Sequence, residues 1–201
     1  AMFTDGPKVE YLDNHTPIII DQVNNMRPLD FYNVYRSTSA TGAFTQIAQV
    51  DANTTTSSNT AVGHNALSGA NHADASGTTV VGWSAGNAIT VGKYNTAMGY
   101  EALKTNVDGD SNTAIGNQAL KTMEPGDGDG ANTAVGDQAG LSVTTGLNNV
   151  LIGYAAGDAI TTASHNTFVG ENAGTATTGS NSTGIGRHAL TANTSGINTA
   201  V

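Results

Sequence analysis

Asn112-Thr113-Ala114-Ile115-Gly116-Asn117-Gln118-Ala119-Leu120 decides the fold, because near-copies of it recur to the end of the chain. Close copies begin at Asn59, Asn95, Asn132 and Asn166, weaker ones at Thr78, Asn149 and Ser182, and a ninth begins at Asn198 and is cut at Val201. The signature glycines are Gly63, Gly82, Gly99, Gly116, Gly136, Gly153, Gly170 and Gly186, spaced by 19, 17, 17, 20, 17, 17 and 16 residues. A fixed short period of this kind is the mark of a repeat architecture.

Each repeat has two halves. The first is Asn-Thr-Ala-Φ-Gly, with Φ as Val, Ile or Met, followed by two variable residues, an Ala, and then Leu or Gly. The second half is polar and glycine-containing, and all the length variation falls there, as in 121–131. A constant strand with a variable loop is what a stacked coil requires. Thr, Val and Ile favour strands, and side chains alternate between faces. Thr113 and Ile115 therefore share one face, and Ala114 and Gly116 the other. Neither face is strongly polar, which predicts that both are covered, one by the inside of the coil and one by a neighbouring chain. The pattern alone does not say which face points inward. Gly at the strand end supplies a positive φ or a close backbone approach. Asn at the strand start can hydrogen-bond its own backbone or stack into a ladder. Seventeen residues cannot hold a helix pair, and glycine and branched residues fill the periodic positions. The expected fold is an all-β repeat β-solenoid (a β-roll) of about eight coils of 16–20 residues, a rod of roughly 40 Å at the strand spacing of a sheet.

Composition asks for more than a lone globule. Of 201 residues, 5% are aromatic and 11% charged, and 25 are glycine. So few large side chains poorly offset the ordering entropy, so surface must be buried by repetition and association. Val, Ile and Met in register argue for order over disorder. The net charge of −9 without basic clusters makes a poor partner for nucleic acid or anionic membranes. There is no cysteine, hence no disulfide frame. The longest apolar stretch, Pro17-Ile18-Ile19-Ile20, is far below membrane-spanning length. Ala1-Met2 reads as a cloning remnant and Val201 falls inside a repeat, which points to a piece of a longer chain.

Residues 1–56 form a separate N-terminal β segment and connector, and 57–201 the repeat domain. Pro17–Ile20 reads as a short strand. Phe31–Arg36 and Phe44–Val50 alternate around a Thr41-Gly42 turn signal and read as a hairpin. Residues 32–44 resemble a hairpin of fibronectin type III domains.

The repeat phrase itself resembles those of large bacterial surface fibres and phage tail-fibre-like proteins. It is similar in logic to the head repeats of trimeric autotransporter adhesins, over residues 59–201. That resemblance implies a β-roll packed as a homotrimer and a passive, stiff rod that attaches to a cell surface, host or prey. Its setting would be extracellular, on a cell surface or a virion. Trimerisation would also supply the burial that the composition lacks. The period here is longer and less regular than in the adhesin heads, which suggests loops protruding from the roll, above all at 121–131.

The variable pairs after each signature glycine form a stripe along such a rod, and their diversity marks them as exposed. Within it, Trp83, Tyr100 and Tyr154, with His64 and Arg187, are the candidate contacts for a glycan or protein receptor, because aromatics give rigid contact area at low entropy cost. The bland reading of the stripe is a solvated or inter-chain surface. Asp108, Asp110, Asp127 and Asp129, in Asp-Gly-Asp turns, are calcium candidates, since hard cations want several close oxygens. Asp and Gly are also plain turn formers, and no distal Glu completes a calcium loop. His15, His64, His72, His165 and His188 lack metal-ligand spacing. Gly184-Ile185-Gly186-Arg187-His188-Ala189 matches a dinucleotide pattern only by coincidence, with no helix to follow it. No constellation suggests catalysis, so the expectation is a non-enzyme without cofactor. The alternative is a tail fibre or tailspike segment with carbohydrate-degrading activity, which needs clustered acids on adjacent coils. Glu101, Asp137 and Glu171 are interrupted by Asn117 and Tyr154. An ice-binding solenoid is a further class. Its Thr ranks exist, but they alternate with apolar Φ residues on a face that reads as buried.

Overall fold

In the computed structural model of the chain, residues 59–69, 75–126, 128–192, 194 and 196–201 are described in full, and four strands among residues 8–51 by their backbone alone. The expected hairpin turn at Thr41-Gly42 and the connector 52–58 lie outside the described residues. Strands β1 (Lys8–Tyr11), β2 (Pro17–Asp21), β3 (Phe31–Arg36) and β4 (Thr45–Asp51) pair antiparallel in chain order. β4 then pairs antiparallel with β5 (Thr60–Val62), so one sheet runs on into the repeats.

From β5 onward the chain is a parallel β-solenoid of about eight coils, one three-residue strand per coil. The main sheet continues through β6 (Thr79–Val81), β7 (Thr96–Met98), β9 (Thr113–Ile115), β11 (Thr133–Val135), β12 (Val150–Ile152), β13 (Thr167–Val169), β14 (Thr183–Ile185) and β15 (Thr199–Ala200). The register superposes equivalent letters of the phrase, as Thr96, Thr113 and Thr133, or Met98, Ile115 and Val135. Two short strands, β8 (Gly109–Asp110) and β10 (Gly128–Asp129), pair in parallel on another side. β10 is how the longest insertion rejoins the stack, while Gly128 and Asp129 themselves stay exposed.

The middle strand residue points into the coil: Val80, Ala97, Ala114, Ala134, Leu151 and Phe168 are fully buried. Thr and Φ point outward. The expected burial of the Ala114 face comes from the coil itself, and among the described residues nothing covers the Thr/Φ face.

Glycine closes each strand for two reasons at once. Gly116 has φ 138°, and a Cβ there would lie 2.2 Å from the carbonyl oxygen of Gly136 in the next coil. The coils stack backbone on backbone at this corner, and no side chain fits. The rest of the circuit turns at three left-handed corners. In the coil that starts at Asn112 they are Gln118 (φ 57°), Leu120 (φ 47°) and Ala131 (φ 46°). None of these three is the Gly or Asn that usually occupies such φ values, as other coils have at Gly86, Gly157 or Asn148. The inter-coil backbone bonds hold them there: Gln118 N–H donates to Tyr100 O at 2.8 Å, Leu120 N–H to Ala139 O at 3.0 Å, and Ala131 N–H to Asp110 O at 3.2 Å.

The alternation of Leu and Gly six residues after the strand centre is volume matching. Ala61, Ala97, Ala114 and Gly184 are followed by Leu67, Leu103, Leu120 and Leu190. The bulkier Val80, Leu151 and Phe168 are followed by Gly86, Gly157 and Gly174. A Cβ on Gly174 would sit 2.3 Å from Phe168 Cδ2. Gly140 follows Ala134 but meets Leu151 of the next coil, with 2.8 Å to its Cδ1. Each layer thus holds one large residue from either position, except the Ala134/Gly140 layer, whose space Leu120 and Leu151 of the neighbouring coils fill, at the density a packed interior demands.

Asn59, Asn95, Asn112, Asn132, Asn149 and Asn166, each opening a phrase, are buried and form the ladder their position suggested. Asn95 Oδ1 accepts from Asn112 N–H at 2.9 Å, Asn112 Oδ1 from Asn132 N–H at 3.1 Å, and Asn132 Oδ1 from Asn149 N–H at 2.9 Å. Their Nδ2 groups turn to the loop, where Asn132 donates to Gly146 O at 2.9 Å and Asn149 to Ala163 O at 3.0 Å. The amide satisfies the polar backbone at a corner closed to water.

Candidate functional site

Two surfaces stand out on the rod. One is the outward Thr/Φ face. Val62, Met98, Ile115, Ile152 and Ile185 are exposed there, and the rank beside them is Thr60, Thr79, Thr96, Thr113, Thr133, Val150, Thr167 and Thr183. Ladder pairing keeps both ranks in line from coil to coil. The ranks that the sequence made look buried are on the outside of the single chain.

The other is the stripe after the signature glycines. Its first members are all exposed: His64, Trp83, Tyr100, Asn117, Asp137, Tyr154, Glu171 and Arg187. Its second members are not, contrary to the expectation from diversity. Ser84, Glu101 and Ala155 are buried and Gln118, Gln138 and Asn172 half-buried, because this is the first left-handed corner and folds back onto the coil, while Asn65 and His188 are exposed.

The structure brings three of the five candidate contacts together. Trp83 stacks between His64 (centroids 6.2 Å apart, planes at 25°) and Tyr100 (5.0 Å, 9°). The ammonium of Lys104 lies 5.9 Å from the Trp83 ring centroid. Both faces of Trp83 are engaged by its two neighbours, and His64 and Tyr100 each give one face to it. Trp83 is 43% and Tyr100 48% exposed. Tyr154 stands apart from this stack, three coils further on, beyond the Asn117 Nδ2 to Asp137 Oδ1 bond of 2.9 Å. Arg187 is also apart, with its Nε 3.2 Å from Glu171 Oε2.

Below the stack is a charge cluster that sequence reasoning missed. Glu101 Oε1 is 2.5 Å from Lys104 Nζ, and its Oε2 is 2.8 Å from Lys121 Nζ. Gln118 Nε2 donates to Oε2 at 3.1 Å. The bond from Lys104 comes first among the causes that hold this carboxyl at about 2, then that from Lys121, with Gln118 adding to them against some desolvation. Glu101 is covered by the side chains that bind it rather than sunk in the core, which is why desolvation loses. The signal was present as Lys104 and Lys121, which are one repeat apart at the same letter.

The Asp-Gly-Asp candidates divide. Asp127 lies outside the described residues. Asp110 Oδ1 accepts from Lys93 N–H at 2.6 Å, and Asp110 faces Asp129 across β8 and β10. Asp108 is half-buried, and its Oδ1 has no hydrogen-bond partner. Among the described residues no three His, Asp or Glu side chains converge as a metal site, and no helix is long and apolar enough to cross a membrane.

Together these features define a class by architecture alone: a parallel β-solenoid with one open Thr/Φ sheet face and one aromatic-bearing stripe. No protein-family model, no curated protein and no solved structure matches the chain.

Proposed function

We propose that the chain is a rod segment of a homotrimeric extracellular fibre, on a cell surface or a virion, that attaches its bearer to a cell, host or prey. Its role is passive binding rather than catalysis. The carrying observation is the open Thr/Φ face, a two-rank strip in ladder register whose Val62, Met98, Ile115, Ile152 and Ile185 are exposed, with Val81, Val135 and Val169 half-buried between them. Contiguous apolar strips of this kind mark association surfaces. A chain poor in large side chains gains the most by covering it with copies of itself. Three rods packed through these faces leave the stripe outside, where His64, Trp83 and Tyr100 form one rigid contact patch, and Tyr154 and Arg187 further points for a glycan or protein receptor.

Because the chain has no cysteine, Ile115→Cys gives a single handle on the strip. With a short bifunctional maleimide it should yield covalent dimers, and with a trifunctional one trimers, whereas Asp137→Cys on the stripe should stay monomeric on a denaturing gel. The reverse pattern would reject the packing. Receptor binding is read by a glycan array, where Trp83→Ala should remove any signal.

The same face favours a second reading. Outward Thr ranks in sheet register are what an ice-binding solenoid uses, and here they point outward. Thermal hysteresis from a monomeric chain would establish that reading and sink the trimer.

A further inference from the structure

The turn at 106–109 carries two buried oxygen atoms that have no donors, and the Glu124 carboxyl of the following insertion is bonded to that turn. Asn106 occupies the inward position held by Ile89, Met123, Val143, Ile160 and Thr177 in other coils, and it is fully buried. Its Nδ2 donates to Gly109 O at 2.8 Å, which fixes the amide and leaves Oδ1 without a partner. That Oδ1 lies between the two segments: a Cβ built on Gly109 would be 2.4 Å from it and 2.5 Å from Pro125 Cγ. Asp108 precedes Gly109, and Glu124 precedes Pro125. Asp108 Oδ1 is likewise buried and unpartnered. Glu124 Oε2 accepts from Val107 N–H at 2.6 Å, which sets its carboxyl against the residue between Asn106 and Asp108, and the Asp108 carboxyl is among the neighbours that raise its pKa, after burial. No lysine or arginine neutralises the pair, since the ion pairs among the described residues engage Glu101 and Glu171.

We propose that Asp108, Glu124 and Asn106 hold a calcium-type divalent cation that clips the insertion of one coil onto the turn of the coil before it. The donor set is all oxygen, two of its members are anionic, and water would complete the shell, as suits a hard cation. A buried amide in an apolar column, with its acceptor left open, is otherwise a cost without a return. The site differs from the Asp-Gly-Asp turns themselves: Asp110 is taken by Lys93, and Asp129 is exposed.

Calorimetric titration of the chelator-treated chain with calcium chloride tests this. The expected result is one equivalent per chain, with a dissociation constant on the order of 10⁻⁴–10⁻³ M for so few anionic ligands, and a rise in Tm. Glu124→Gln and Asp108→Asn should each weaken binding by roughly tenfold or more, because ligand charge sets affinity, while Asp129→Asn titrates like the parent. Asn106→Leu, which restores the apolar column, should fold and lose most of the calcium-dependent Tm rise. The parent titration decides even if a variant fails to fold: no heat and no Tm change with calcium overturns the proposal. A parent whose Tm ignores calcium but rises on mild acidification would show that the two carboxyls share a proton instead, which also overturns it. A response that survives in Glu124→Gln overturns it too.

Discussion

At the scale of residues, the solenoid is fixed by what glycine alone can do and by what leucine and phenylalanine exclude. Gly116→Ala should destabilise the protein by roughly 2–4 kcal/mol, since strained φ and backbone overlap combine, and urea unfolding would measure it. The Phe168 and Gly174 pair gives a sharper test. Phe168→Ala alone should cost about 3–5 kcal/mol, and Gly174→Leu alone should overpack against Phe168. Made together they convert the layer to the Ala/Leu type of Ala114 and Leu120, and the loss should shrink to less than about 1.5 kcal/mol. An additive double mutant would refute the volume matching. Glu101 sets an acid limit. Its folded value, about 2, lies below its ordinary 4.5, so its contribution is complete above pH 4.5 and is lost as pH falls toward 2. A Glu101→Gln variant should therefore show a smaller loss of Tm across that window than the parent.

At the scale of elements, a coil is a three-residue strand, three left-handed corners and a polar rung, Asn in most coils and Thr78 or Ser182 in two. The strand and the rung were legible in the sequence, because Asn, Thr and Gly recur at fixed letters and each has one physical reason to be there. The corners were not. Non-glycine residues such as Gln118, Leu120 and Ala131 carry no local signal for positive φ; inter-coil hydrogen bonds impose it. The stripe was half legible for the same reason: diversity correctly marked Trp83 and Tyr100 as exposed, yet the corner tucks Glu101 and Ser84 inward. The Leu/Gly alternation was visible as letters, but its cause needed the facing residues. For the rung, Asn132→Ala should cost roughly 1–3 kcal/mol, because it leaves Asn149 N–H and Gly146 O unpaired in a closed corner. Hydrogen exchange should show faster opening in the two flanking coils and little change at Thr60.

At the scale of the whole molecule, one rod has a filled interior and an uncovered side. The sequence anticipated that both strand faces want cover; the coil provides for Ala114 and Leu151, and nothing within the described chain provides for Ile115 and Ile152. That asymmetry carries the functional reading, and the mass of the particle tests it most directly. Multi-angle light scattering on the purified chain should give three times the 20.3 kDa chain mass, unchanged on dilution through the micromolar range. A particle of one chain mass, stable and folded at all concentrations, would contradict the account.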